Sequence, residues 1–212
     1  MKPTQILSDE HRIIEVILDS LQHFVTQSRA AVKVDRDTAE QFIDFIRTFA
    51  DGCHHGKEEN HLFVMLEEKG APREHGPVGV MLHEHDLGRS FLRGMAESLP
   101  QAAAGDAAAV TTFCENAQNY IGLLRAHIMK EDQILFPLAD RMLTEEDQSR
   151  LQASFTHVEA HDMGEGTHTR YLEMALGLAN KFNVPAEPIK RQILAGGCTC
   201  AHGHKSQSQT AH

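Results

Sequence analysis

Apolar residues recur along most of the chain at intervals of three and four, the period of a helix with one buried face. The first stripe is His11, Ile14, Leu18, Leu21 and Val25. It predicts a helix from Thr4 or Ser8 to Ala30, with Ser8 as N-cap and Asp9 and Glu10 in the first turn. A second stripe, Ile43, Ile46, Ala50, His54, Glu58, Leu62 and Met65, predicts a helix from Asp37 to Lys69, ended by Gly70. A third starts at Pro77 and carries Val78, Met81, Leu82, His85, Gly88, Leu92, Met95 and Leu99, before Pro100 to Gly105 break the pattern. The fourth runs from Asp106 to Met142 through Phe113, Ala117, Tyr120, Leu124, His127, Glu131, Leu135 and Leu138, with Pro137 set to kink or end it. Thr144 caps a fifth helix, Glu145 to Asp162, and a sixth covers Thr167 to Phe182.

These elements predict an all-α fold. Residues 1–142 form an antiparallel up-down-up-down four-helix bundle, because short connectors join long helices of one buried face each. Residues 143–184 are a C-terminal extension of two helices, packing on the bundle or on the partner of a homodimer. Residues 185–212 are a flexible tail containing Cys and His.

Composition removes several alternatives. The 212 residues are 41% hydrophobic, enough for a sizeable core, and lack Trp. A net charge of −10 with no basic stripe argues against nucleic acid. No apolar run is long enough to span a membrane, and Met1 to Arg12 lack the apolar stretch of a secretory signal, so the expected compartment is the cytoplasm. Cys53 and Cys114 stand alone in helical patterns and read as core thiols, not as a disulfide framework.

The chemistry lies in polar residues that occupy apolar stripes. Each of the first four helices places one histidine there: His11, His54, His85 and His127. Glu58 and Glu131 follow His54 and His127 by four residues and share their helix face. In an antiparallel bundle the starts of the first and third helices lie beside the ends of the second and fourth, so all four histidines meet at one level. Buried carboxylates among imidazoles are costly unless a cation compensates them. Nitrogen and oxygen donors of this kind suit a first-row metal. Two glutamates bridging two irons, with histidines as terminal ligands and a water, hydroxide or oxo group in the remaining bridge, satisfy the set.

The second and fourth helices also echo each other, both reading H-x-x-x-E-[ED]-x-x-L-F from His54 and from His127. Together with Asp9-Glu-His11-Arg, Glu84-His85-x-x-Gly88-Arg and Pro137 after the second echo, these segments resemble the hemerythrin-like, HHE cation-binding domain over about Ser8 to Met142. The resemblance implies an antiparallel four-helix bundle, usually with two non-haem irons. Members bind dioxygen or nitric oxide, sense oxygen or iron, or protect against oxidative and nitrosative stress. The chain departs from the invertebrate oxygen carriers at two places. Met81 stands four before His85, where they have a histidine. Glu131 and Asp132 compete on the fourth helix, where Glu131 repeats the Glu58 spacing. His55, Glu59, His61 or a water are the candidates for the missing ligand, and Tyr120 is a candidate hydrogen-bond donor near the centre.

Other histidines read more plainly. His83 lies about 200° round the helix from His85 and faces away. His23 and His75 are surface residues, and His157 with His161 forms an exposed i, i+4 pair more readily than a metal site. Cys198-x-Cys200-x-His202-x-His204 offers soft ligands for zinc or copper, a redox pair, or nothing specific. Three functions share the proposed irons: binding or sensing of dioxygen, nitric oxide or peroxide; a peroxidase, catalase-like or nitric-oxide-reducing enzyme; and an iron store or sensor with a partner protein.

Overall fold

Prolines set several helix boundaries more firmly than polar caps do. Helix α1 spans Pro3–Ala31 and begins at Pro3, whose missing N–H costs nothing in a first turn. It therefore starts upstream of Ser8, whose hydroxyl is not a cap but donates to Asp132 at 2.7 Å. Helix α2 runs without interruption over residues 36–68, entered from Asp35 rather than Asp37. Helix α3, Gly76–Ala104, carries Pro100 inside it instead of breaking there. Leu99 and Ala102 are buried on either side of that proline, and the Ala102 carbonyl accepts from Val34 N–H at 3.2 Å, so packing holds the last turn. Helix α4 covers residues 107–142, capped by Asp106, which accepts from Ala109 N–H at 2.8 Å. It passes Pro137 by widening to a π-type turn over Glu131–Leu135 immediately before.

The computed structural model describes residues 1–162, 164 and 166–195; the Cys198 to His204 motif lies outside the described residues. Helix α5 covers residues 145–162, opened by a reciprocal cap between Thr144 and Asp147, and α6 spans Thr167–Lys181. A seventh helix, α7 (Glu187–Leu194), stands where the sequence reads as tail. Eight residues are too few for periodicity to show. Pro188 opens α7, Ile189 is fully buried, and Gln192 Nε2 donates to the Asp9 carbonyl at 3.3 Å. Among the described residues there is no strand, and no helix is long and apolar enough to cross a membrane.

Two apolar clusters form the core. The larger joins Ile14 and Phe24 of α1, Phe42 and Phe49 of α2, Leu92 of α3, Leu124 of α4, Leu172 of α6 and Ile189 of α7. The smaller joins Leu7, Leu62, Met81, Leu135 and, from α5, Leu151 and Phe155. The C-terminal helices thus pack on their own chain. Between the clusters each of α1 to α4 contributes buried polar residues. Helices α1 and α3 meet the smaller cluster, then the polar layer, then the larger cluster; α2 and α4 meet them in the opposite order.

Candidate metal centre

The polar layer is built from helical turns of unusual width. In an α-helix adjacent side chains diverge by about 100°, so His54 and His55 would not both face inward. The chain is of π type over Ile46–His55 and again over Glu58–Leu62, and both histidines are buried, at 1% and 4% exposure. Glu131 opens the matching π turn on α4.

Two groups of donors result. His11, His54, Glu58 and Glu131 form one, and His55, Glu58, His85 and His127 the other; in each, the ligand atoms lie within 4.8 Å of one another. Glu58 belongs to both, with Oε1 3.7 Å from His54 Nε2 and Oε2 3.5 Å from His85 Nε2. Glu131 belongs to the first group alone, with Oε2 3.2 Å from His11 Nε2, but its Oε1 lies 3.2 Å from His127 Nε2 of the second. All six residues singled out in the sequence therefore converge, and His55 joins them, its ring stacked on His85 at 3.8 Å.

Behind the imidazoles stands a shell of carboxylates that the sequence reading did not assign. His11 Nδ1 lies 3.0 Å from Asp132, His54 Nδ1 2.9 Å from Glu10, His85 Nδ1 2.7 Å from Glu59, and His127 Nδ1 3.0 Å from Glu84. Each helix thus orients its neighbour's histidine, and the ring closes from α4 back to α1. Only His55 is held from its own helix, by Asp51 at 3.3 Å. Basic residues hold the carboxylates in turn: Lys57 on Glu10, Arg12 on Asp132, Arg89 on Glu59 and Asp51, and Lys130 on Glu84. The available signal was adjacency, since each ring carboxylate sits one residue from a core ligand: Glu10 by His11, Glu59 by Glu58, Glu84 by His85, Asp132 by Glu131. Glu59 and Asp132 accordingly point at imidazole Nδ1 atoms and not into the centre.

Charge is sorted unevenly between the two shared carboxylates. Burial and the nearby Glu131 charge push the Glu58 carboxyl well above its ordinary range. Burial acts on Glu131 too, but the His127 charge and the close approach of the His11 and His127 rings outweigh it and hold its pKa well down. His127 rises to about 9 against the cost of burial, chiefly through Glu131, while burial takes His54 down to about 4. Burial also lowers His55 and His85, the latter further depressed by the His55 and His127 charges. For His11, the contact of its Nδ1 with Asp132 and the nearby Glu131 carboxylate overcome burial and raise it.

The donors fit a metal pair. His11 Nε2, His55 Nε2 and both oxygens of Glu58 and of Glu131 are buried with no hydrogen-bond partner. Buried polar atoms are rarely left so. With Nδ1–H given to a carboxylate, neutral His54, His55 and His85 direct an Nε2 lone pair inward, the arrangement that ligating histidines need. A third cluster, Glu10, Glu159 and His168, lies alongside, but the buried Lys57 ammonium already stands between its two carboxylates.

The model of the hemerythrin HHE cation-binding domain matches residues 2–139. The chain belongs to this family. The match ends before α5, and the later helices lie outside it. Relatives include an uncharacterized protein of Mycobacterium bovis and one from each of two strains of Mycobacterium tuberculosis. Each is 23% identical over 159 residues, covering 75% of this chain and 62% of the relative, so this chain spans less than two thirds of their length. No solved structure matches it.

Other histidines among the described residues lie apart from the hemerythrin centre. His23, His75, His83, His157 and His161 are exposed, and the last two stack at 4.3 Å between ring centroids. His61 sits at the edge of the smaller cluster with Phe155, 6.5 Å between centroids. Cys53 and Cys114 are buried free thiols.

Proposed function

We propose that this hemerythrin-like protein holds two non-haem irons and binds or senses a small ligand: dioxygen, nitric oxide or peroxide. The observation that carries the reading is the sharing of Glu58 and Glu131, each with one oxygen toward either group of histidines. His11 and His54 serve one ion, and His55, His85 and His127 the other, with both glutamates between. The alternating order in which α1 to α4 cross the two apolar clusters supports an antiparallel up-down-up-down bundle around this centre. His55 takes the role of the histidine that Met81 replaces.

When bound, the irons supply one-electron redox chemistry and affinity for the small ligand. The chain's own part is to fix the tautomers and orientation of five imidazoles through the carboxylate ring and to exclude bulk water with two apolar clusters. The test is metal analysis with optical spectra of the anaerobically reduced protein, before and after air, nitric oxide and peroxide. About two irons per chain and ligand-dependent bands are expected, as for other carboxylate-bridged bundles. A protein that takes one ion, or chiefly zinc when iron is plentiful, overturns the reading. Repeated turnover of peroxide with a reductant separates an enzyme from a ligand binder.

A further inference from the structure

The two flanks of the centre differ in access. Beside His54, the fully buried Lys57 ammonium lies 2.5 Å from both Glu10 and Glu159, and the Phe155 ring packs 5.8 Å beyond it. Helix α5 closes that flank. Beside His55 and His85 a narrow crevice enters between α2, α3 and α4. Its rim is charged and half-buried: Arg89 Nε donates to Asp51 at 2.9 Å, and Arg89 Nη2 to Glu59 at 2.6 Å. Its inner walls, Ile46, Leu92 and Leu124, are apolar and buried.

Tyr120 lines the crevice, and its hydroxyl is buried with no hydrogen-bond partner among the described residues. Such a hydroxyl is costly unless something occupies the space before it. That space has room for about one water-sized molecule. Gly88 keeps it open, since a Cβ there would lie 3.5 Å from Tyr120 Cε2 and 3.8 Å from Leu123 Cδ2, and any longer side chain would fill the gap. The charged groups that line it, Asp51, Glu84 and Arg89, are already paired, and its width excludes anything larger than one water-sized molecule.

We infer that this crevice is a binding site for a neutral, water-sized ligand held by the Tyr120 hydroxyl, and the passage by which small ligands reach the centre. Water occupies it at rest; nitric oxide, dioxygen and hydrogen peroxide share the required size and neutrality. The passage rests on the di-iron reading above, whereas the site at Tyr120 does not.

Two measurements test it. A crystal structure of the zinc-loaded wild type should show an ordered molecule within hydrogen-bond distance of Tyr120 Oη, lost in Tyr120→Phe. Stopped-flow mixing of nitric oxide with the iron(II)-loaded protein should show association slowed about tenfold or more by Gly88→Val, within the range over which interface variants move on-rates, at unchanged iron content. If Gly88→Val does not load iron, Leu92→Phe narrows the same crevice one turn further along α3 and is expected to slow association likewise. An empty space at Tyr120 overturns the binding site, and an unchanged association rate in a loaded variant overturns the passage. A wild type that binds no iron overturns the di-iron reading and with it the passage, while the crystal structure still decides the site at Tyr120.

Discussion

Helices α1 and α2 assemble their side of the centre from the same parts as α3 and α4, yet one side is sealed and the other meets solvent. On each side a glutamate one residue before a histidine, Glu10 or Glu84, orients the next helix's histidine. On each side a lysine one residue before a shared glutamate, Lys57 or Lys130, holds that orienting carboxylate. The difference lies outside the repeat. Lys57 is fully buried because α5 brings Glu159 to its other face, whereas the Lys130 side chain stays 30% exposed. One local pattern thus yields a buried ion triad in one half and a surface ion pair in the other, and the helix that makes the difference lies beyond the hemerythrin match.

The largest expected effect is common to both halves. Glu58→Gln and Glu131→Gln should each strip most of the metal, because either carboxylate has one oxygen toward each group of histidines. Glu59→Gln and Asp132→Asn, which only orient an imidazole, should weaken affinity by about 10–100-fold while leaving a loadable site. Metal content and chelator competition measure both. Equal loss from Asp132→Asn and Glu131→Gln would place the ligand at Asp132.

The lysines should then separate the halves by stability. Lys57→Met leaves two carboxylates buried without a cation and should cost about 3–5 kcal/mol. Lys130→Met removes a partly exposed pair and should cost less than about 1 kcal/mol. Urea unfolding of the two variants compares them directly, and similar losses would break the contrast. Adding Glu159→Gln to Lys57→Met should recover part of the loss, since one of the stranded charges is gone.

The smallest effects are on pH dependence in the metal-free protein, and they run in opposite directions. His127, raised to about 9, gives stability that is fully present below its ordinary 6.5 and lost as pH rises through 9. His54, lowered to about 4, refuses a proton that the unfolded chain accepts, so stability falls as pH drops from 6.5 toward 4. Unfolding midpoints between about pH 4 and 10 should therefore decline at both ends. His127→Gln should flatten the alkaline limb and His54→Gln the acid limb; a variant that flattens the other's limb refutes the assignment. Metal loading should also release more protons at neutral pH than above 9, where His127 has already lost its own.

Much of this was legible from periodicity. Helical stripes marked six helices with ends within about five residues of those observed, and histidines and glutamates in apolar positions pointed to the centre. Periodicity failed where length or packing ruled. Helix α7 is too short to show a stripe, and Pro100 stays helical because Leu99 and Ala102 are buried around it.

What the sequence determined by itself was the family, through its motifs, and the helical class and the placing of His11, His54, Glu58, His85, His127 and Glu131 on buried faces, because these last two follow from the regular spacing of residues along a single helix. Tertiary structure alone decided the rest. His55 turns inward only because α2 widens to a π turn, and the orienting carboxylates find their histidines on neighbouring helices. The fate of Lys57 depends on a helix some hundred residues away. Spacing along one helix is a local property that a sequence displays; which charge meets which imidazole is set by how the helices pack.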